Sequence, residues 1–215
     1  MTAEPVVPRA SARVQRKRGR RMQEILTVAA ELFGERGYDA VSLDDVAERL
    51  DVTKGSLYYY FSSKEELGTA AIETLGNAWT TRLQELPEAT QGPPADRLRA
   101  LVREQVTIAV REYPAALRLF LVPDDWPQAQ RTAIKELRRR HDRLFRDVVE
   151  EGVRTGEFTV ADLDTTLHCL HVAMTQAPVW YRNLQGAPLD RAIDGLVSTL
   201  MMLVGQAPHA SLDHA

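Results

Sequence analysis

The sequence is poor in several features that mark other classes of protein. It has one cysteine, Cys169, so no disulfide can form within the chain, and this fits a reducing compartment. Its longest apolar run, Leu200–Val204, is far too short to cross a membrane, and the first residues lack the apolar core of a signal peptide. We therefore expect a cytoplasmic protein with no membrane partner.

Motifs of catalysis and cofactor binding are also missing. The sequence has no nucleophile elbow, phosphate-binding loop or dinucleotide fingerprint. An all-helical enzyme using Cys169 with His168 or His171 is an alternative, but neighbouring helical residues point about 100° apart, so Cys169 and His168 would not align as nucleophile and base. The two histidines also lack further ligands at suitable spacing, and we expect no metal, no cofactor and no enzymatic activity.

Helical periodicity is what the sequence has instead. Apolar residues from Met22 to Phe33 form a one-sided stripe that Gly37 ends. No segment shows the alternation of a strand, and the pattern predicts an all-α protein. Further helices are predicted over residues 63–86, 95–113, 115–121, 128–154, 162–182 and 189–204.

The segment from Ser42 to Phe61 predicts two short helices joined by a tight turn. Ser42 precedes a helix with apolar residues at i, i+3, i+4 and i+7, and Asp45 has the spacing of a capping box. Asp51 then stands at a turn position where a short polar side chain tolerates left-handed backbone geometry. In the helix that follows, Leu57 and Phe61 face inward. The side chains that face outward are those of Thr53, Lys54, Ser56, Tyr58 and Tyr59. This order of elements is a helix-turn-helix.

The outward face of the second short helix suits DNA. Small residues at its leading end let the backbone approach base edges, Lys54 adds a long donor, and three successive tyrosines carry hydroxyl groups to where phosphate oxygens would lie. The next helix has another capping-box spacing, Ser62 and Glu65, with Lys64 in its first turn. Because a cation there opposes the helix dipole, a bound phosphate would explain it. In the alternative interpretation the tyrosines pack at the rim and the lysine is an ordinary surface charge.

This segment resembles the DNA-binding domain of the tetracycline-repressor (TetR) family of bacterial regulators. Asp44 departs from the family at a position where some members carry a DNA-contacting basic residue, and Asp51 replaces the usual turn glycine. The resemblance is carried by Phe33, Gly37-Tyr38, Val46-Ala47, Val52–Tyr58, Tyr60-Phe61 and Ser63-Lys64-Glu65. It implies base contacts from Thr53, Lys54, Gly55 and Tyr58, and phosphate contacts from Ser42, Tyr59, Tyr60 and Lys64. The helical spacing places Ser56 on the same outward face.

The resemblance also implies an architecture and partners. It predicts a three-helix DNA-binding domain over residues 19–66 and a helical effector-binding and dimerisation domain over residues 67–215. The protein would bind a palindromic operator in double-stranded DNA as a homodimer, and a small apolar or acyl-type effector would release it. The segment from Trp180 to Leu189 is similar to a pattern in members that answer to acyl-coenzyme A thioesters. An architectural DNA-binding protein without an effector is the alternative.

The charge of the chain is concentrated at its N-terminus. The net charge is −3, yet the first 21 residues hold seven basic side chains against Glu4 alone. We predict a flexible basic arm over residues 1–18 and a first helix that begins near Arg20. Such an arm can enter an adjacent minor groove, and the alternative is a solubilising tail without a defined contact.

The C-terminal two thirds of the sequence predict a homodimer and a ligand pocket. Apolar residues from Leu196 to Val204 go almost all the way round the last helix, so it would need a second copy of the chain as well as its own core; a buried helix of a monomer is the alternative. Aromatic and other side chains would line an apolar cavity with a few polar groups, or else form core. The candidates are Trp79, Tyr113, Phe120, Trp126, Phe145, His171, Met174 and Trp180.

Overall fold

The computed structural model describes residues 9–89, 92–112 and 126–205. Within these ranges the regular structure is helical and includes no strand, which confirms the predicted all-α fold. None of the described helices is both long and apolar enough to cross a membrane. The α-helices are α1 (Arg9–Arg36), α2 (Leu43–Arg49), α3 (Lys54–Tyr58), α4 (Lys64–Ala89), α5 (Pro94–Thr107), α6 (Gln128–Arg154), α7 (Leu163–Trp180) and α8 (Gly186–Met201). A π-helical turn, Ile108–Glu112, extends α5, and a 3-10 turn, Met202–Val204, extends α8.

Most predicted helix bounds hold to within a few residues. The bounds of α6 agree with the prediction, and α7 begins where Asp162 caps it by accepting a hydrogen bond from the Thr165 N–H at 2.7 Å. The predicted helix over 95–113 instead changes into the π-helical turn at Ile108. The predicted short helix over 115–121 lies outside the described residues.

Helix α1 corrects the predicted flexible arm. It begins at Arg9 rather than near Arg20, so residues 9–18 are helical. The segment after Pro8 has no further proline and consists largely of arginine, lysine, glutamine and alanine, which are good helix formers. From Arg13 to Arg20 every side chain is exposed. This part of α1 therefore projects from the body as a basic helix.

Helix α4 joins the two ends of the molecule. It packs against α1 at the DNA-binding end and against α5 and α6 of the body. The predicted domain boundary between Glu66 and Leu67 falls inside it. The side chains of Leu67, Ala71 and Ile72 are fully buried. One continuous helix thus belongs to both predicted domains.

Helix α8 corrects the prediction of an apolar surface all the way round. One face is buried, from Leu189 to Met201, and the opposite face exposes polar residues such as Asp194 and Thr199. The apolar run that suggested two covered sides spans the change from α8 into the 3-10 turn. There the backbone directs Val204 inward and leaves the Met202 side chain 79% exposed.

Candidate functional site

The turn between α2 and α3 is built as the sequence predicts. The Ser42 hydroxyl accepts a hydrogen bond from the Asp45 N–H at 3.2 Å, and the Asp45 carboxylate accepts one from the Ser42 N–H at 2.8 Å. These two bonds confirm the predicted capping box, and the bonds from Ser42 lower the pKa of Asp45. Asp51 has a φ of 52°, which confirms its left-handed turn. The turn fixes the direction in which α3 leaves α2.

Helix α3 is shorter than predicted but presents the predicted face. It spans Lys54–Tyr58, and Thr53 caps it by accepting a hydrogen bond from the Ser56 N–H at 3.3 Å. Leu57 and Phe61 are buried, while Tyr60 is half-buried against the core. The exposed side chains are those of Thr53, Lys54, Ser56, Tyr58 and Tyr59, and Gly55 is exposed between them.

Two of the predicted DNA-binding lysines already have partners in the protein. The Lys54 ammonium forms an ion pair with Asp44 of α2, and this contact raises the pKa of Lys54. The Lys64 ammonium donates to the carbonyl oxygen of Tyr38 at 3.1 Å and lies 4.4 Å from the centroid of the Tyr38 ring. Asp44, where some family members carry a basic residue, thus neutralises a cation on the outward face.

The cap of α4 differs from the predicted Ser62–Glu65 pair. The Glu66 carboxylate accepts hydrogen bonds from the Ser62 N–H at 2.8 Å and from its hydroxyl at 2.7 Å, and the Ser63 hydroxyl accepts one from the Glu66 N–H at 3.1 Å. The prediction was wrong because α4 begins one residue later, at Lys64. A shallow depression brings the start of α2 and the start of α4 together, and its rim includes Ser42, Tyr58, Ser62, Ser63 and Lys64.

The basic part of α1 lies on the same side as α3. The guanidinium of Arg18 is 5.6 Å from the centroid of the Tyr59 ring, and the Tyr59 side chain is 70% exposed. Arg20 and Arg21 contact Glu24, but Arg13, Arg16 and Lys17 have no acidic partner among the described residues. Unpaired cations therefore continue the outward face beyond α3.

A cavity of about 420 Å³ lies between α4, α5, α6 and α7. Helix α4 contributes Gly76, Trp79 and Thr80, and α5 contributes Gln105. Helices α6 and α7 contribute the rest of the lining. These residues are Leu137, Arg138, Arg139, His141 and Asp142 from α6, and Asp164, His168, His171, Val172 and Thr175 from α7.

A chain of polar contacts forms one wall of this cavity. The Gln105 amide oxygen lies 3.0 Å from His141 Nε2, and His171 Nε2 lies 3.2 Å from an Asp142 carboxylate oxygen. The centroids of the His141 and His171 rings are 5.1 Å apart. Burial, with a smaller contribution from the charge of His171, lowers the pKa of His141 to about 3, and burial also lowers the pKa of His171. Both shifts favour the neutral rings, so these two histidines make the wall polar without a positive charge.

The predicted ligand-binding residues are spread over several places. Trp79 and His171 line the cavity, and Phe145 lies behind its wall with its ring centroid 5.0 Å from those of both His141 and His171. Met174 is fully buried away from the lining, and Trp180 is 55% exposed at the end of α7. Tyr113 and Phe120 lie outside the described residues.

Trp126 occupies a different junction from the cavity. Its ring centroid lies 5.2 Å from that of Phe33 and 4.7 Å from that of Tyr38, both of which belong to the DNA-binding end. Four residues further along, the Gln130 amide donates to the Thr69 hydroxyl at 2.8 Å. The start of α6 is therefore fastened to α1 and to the first turns of α4.

Sequence reasoning missed several lining residues. Thr80, Gln105 and His141 are polar side chains on helices that the sequence separates widely, and each has an unremarkable local pattern. The spacing of His141 and Phe145, four apart on α6, is the one local signal that places both on the same side.

A helix-turn-helix joined by a shared helix to a cavity-bearing helical body defines the class of the protein: a DNA-binding regulator that answers to a ligand.

Comparison with known proteins identifies the family. The family of bacterial regulatory proteins named tetR matches residues 25–71, and the tetracyclin repressor-like C-terminal domain matches residues 91–195. The chain is 28% identical over 190 residues to the HTH-type transcriptional repressor KstR2 of Mycobacterium tuberculosis, an alignment that covers 84% of this chain and 88% of that protein.

Two solved structures have the same fold. A tetR-family regulatory protein from Rhodococcus RHA1 superposes with a TM-score of 0.74 at 21% identity, covering 86% of this chain and 97% of that one. AibR, solved in complex with isovaleryl coenzyme A and operator DNA, superposes with a TM-score of 0.69 at 21% identity. The superposition covers 84% of this chain and 98% of AibR. The chain belongs to the tetR family and is a ligand-responsive transcriptional repressor. The resemblance predicted from residues 33–65 is confirmed.

Proposed function

We propose that this repressor binds an inverted-repeat operator as a homodimer through the exposed face of α3, and that a small molecule in the cavity between α4 and α7 releases it. The observation that carries the proposal is the course of α4. It begins with Lys64 at the rim of the DNA-facing depression and continues to Trp79 and Thr80 in the cavity wall. A ligand that shifts α4 would therefore change the position of α3.

Helix α6 provides a second connection between the two sites. The same helix that lines the cavity with Leu137 and His141 holds the DNA-binding end through Gln130, and Trp126 continues that contact just before it begins. A ligand that tightens α6 against α4 would act on α1 and α4 together. A differential affinity of about 100-fold between the two geometries corresponds to roughly 2.7 kcal/mol, which is ample for release.

The exposed surface of α7 supports the dimer. Val179 and Trp180 are both 55% exposed on this helix, and Met202 is exposed at the end of α8. Apolar side chains in such a row favour a partner surface, and a two-fold dimer matches a two-fold operator. Such a repressor acts on DNA in the cytoplasm.

The DNA contacts are tested by separating base reading from phosphate binding. An operator selected from random DNA is titrated with the wild type and with Lys54→Ala, Lys64→Ala and Tyr59→Phe, with Arg143→Ala of the distant helix α6 as the control. We expect Lys64→Ala and Tyr59→Phe to weaken binding to operator and random DNA alike, and Lys54→Ala to change base preference. Equal losses on both DNAs for Lys54→Ala contradict this division.

The effector site is tested by narrowing the cavity. Thr80 is buried, and its hydroxyl donates to the Gly76 carbonyl at 2.7 Å. Thr80→Leu adds apolar bulk toward the cavity, whereas Thr80→Val keeps the size and removes the hydroxyl. A panel of acyl thioesters and aromatic hydrophobes, isovaleryl coenzyme A among them, is titrated against the operator complex. We expect Thr80→Leu to retain operator binding and lose release, and Thr80→Val to retain both. If no compound that binds the protein changes operator affinity, the effector switch is wrong and an architectural role gains support.

A further inference from the structure

The cavity has a free cationic rim. Arg138 and Arg139 of α6 both line it, and within the described ranges no carboxylate lies within 4.0 Å of the Arg138 guanidinium. Arg139 has only a contact of 4.0 Å with Glu136, and its side chain is 76% exposed. The positive charge of Arg138 acts on a lining residue, because it contributes to the lowered pKa of His171. Two guanidinium groups are thus available to an incoming ligand.

The acidic groups of the cavity are already engaged. One oxygen of Asp142 is 3.2 Å from His171 Nε2, and the other is 3.2 Å from the Nε of Arg146. Asp164 accepts a hydrogen bond from the same Arg146 at 2.7 Å. Arg146 itself does not line the cavity. The Asp142 and Asp164 carboxylates therefore pair with Arg146. They leave the guanidinium N–H groups of Arg138 at the rim without a carboxylate partner.

The interior requires an uncharged ligand body. Trp79, Leu137 and Val172 supply apolar surface, and His141 is neutral and bonded to Gln105. The Thr80 and Thr175 hydroxyls donate to carbonyl oxygens of their own helices. A buried charge without a partner is costly in such surroundings. The volume of about 420 Å³ lies within the usual range for one small ligand.

We propose that the effector is an anionic amphiphile whose hydrocarbon body lies between Trp79 and Leu137 and whose anionic oxygens are bound by Arg138 and Arg139. The anion is either a carboxylate or a phosphate of an acyl thioester, since guanidinium groups bind both. This inference rests on the proposed effector function, because it names the class of ligand for the same cavity.

Calorimetry without DNA tests the ligand class apart from the switch. Decanoate, decanoyl coenzyme A and the neutral decanamide are titrated into the wild type, the double variant Arg138→Gln/Arg139→Gln, the charge-keeping variant Arg138→Lys/Arg139→Lys and the control Arg143→Gln. Arg143 is exposed on α6 and does not line the cavity. Circular dichroism and the urea midpoint establish that each variant is folded.

We expect at least one anion to bind the wild type about tenfold or more tightly than decanamide, a preference lost in the glutamine variant and retained in the lysine variant and the control. Tighter binding of decanoyl coenzyme A than of decanoate assigns the rim to phosphate, and tighter binding of decanoate assigns it to the carboxylate, because the thioester has no free carboxylate. The proposal is overturned if decanamide binds as tightly as the anions, if neither anion binds, or if the glutamine variant keeps the preference. Binding that depends on the arginines without any effect on operator affinity instead contradicts the proposed function and leaves the ligand class standing.

Discussion

The DNA-facing end and the cavity are assembled over different distances along the chain. The bonds that shape the first are local, such as those between Ser42 and Asp45, three residues apart, whereas the cavity wall joins Gln105 to His141 over 36 residues and Asp142 to His171 over 29. The groups offered to DNA are exposed, whereas the cavity lining ranges from buried side chains such as Trp79 and Thr80 to exposed ones such as Arg138 and His168 at its mouth. Substitutions at the first end should therefore change binding with little change in stability, and substitutions at the second should change both.

The largest effect should come from the core behind the cavity wall. Phe145→Ala removes a ring that is fully buried against His141 and His171, and we expect a loss of about 3–5 kcal/mol in the free energy of unfolding. Tyr59→Ala, at an exposed residue of the DNA-facing end, should change it by less than about 0.5 kcal/mol. Urea unfolding followed by circular dichroism measures both values. Similar losses for the two variants would show that the ends do not differ in this way.

Removal of the basic extension should have the next largest effect, on DNA affinity alone. Deleting residues 1–18 takes away the exposed cations of α1 as far as Arg18 while keeping the buried part of the helix. We expect affinity to fall about tenfold or more, and the slope of log affinity against log salt to become shallower by about one unit per lost phosphate contact. Titrations of labelled operator at several salt concentrations measure this. The variant Arg13→Gln/Arg16→Gln/Lys17→Gln separates charge from helix length, and an unchanged slope in both would make the extension a passive tail.

As the pH falls, the free energy of unfolding should lose the contribution of the cavity end before that of the DNA-facing end. The pKa of His141 is lowered to about 3, so below its ordinary value of 6.5 the unfolded chain takes up a proton that the native protein does not. Stability should therefore be fully present above pH 6.5 and fall as the pH drops toward 3, by up to about 1.4 kcal/mol per pH unit for one histidine. The capping carboxylates Asp45 and Glu66 have pKa values lowered from 3.8 and 4.5, so their contribution is lost only as the pH falls from these ordinary values through the lowered ones.

Urea unfolding at pH 7.5, 6.5 and 5.5 measures this slope. His141→Gln should flatten it, whereas His168→Gln, at an exposed histidine of the cavity mouth, should leave it unchanged. The same slope in the wild type and in His141→Gln would disprove the assignment.

The smallest effect should be a gain at the DNA-facing end. Asp44 pairs with Lys54 on the exposed surface, so Asp44→Asn removes a negative charge and frees a cation. We expect affinity for all DNA sequences to rise a few fold and the salt slope to steepen by about one unit. Glu73→Gln, at an exposed carboxylate of α4, is the matched control. If Asp44→Asn weakens binding, the carboxylate positions Lys54 for base contact instead of masking it.

The same contrast explains what the sequence allowed us to predict. The capping box at Ser42, the left-handed turn at Asp51 and the inward side chain of Leu57 each depend on neighbours a few residues away, and local spacing predicts all three. The bounds of α6 could also be predicted from the sequence, because its apolar stripe is regular. His141 and Thr80 became lining residues only through the packing of four helices, which no local pattern encodes.

Errors arose where two local signals competed. The basic segment before Arg20 has little apolar periodicity and was predicted as a flexible arm, but its helix-forming composition prevails. The apolar run predicted a surface that is apolar almost all the way round the last helix, yet Asp194 and Thr199 give α8 a polar face and the run itself continues into a 3-10 turn. In both cases the residue types were read correctly and the backbone geometry decided the outcome.

The three tryptophans of the chain occupy three different places. Trp79 lies in the cavity wall, Trp126 lies at the junction with the DNA-binding end, and Trp180 is on the exposed end of α7. Each indole would thus report on one step of the proposed switch: ligand entry, movement of α6 against α1, or subunit association. Three variants that keep one tryptophan each would allow stopped-flow fluorescence to order these events in time without any attached dye.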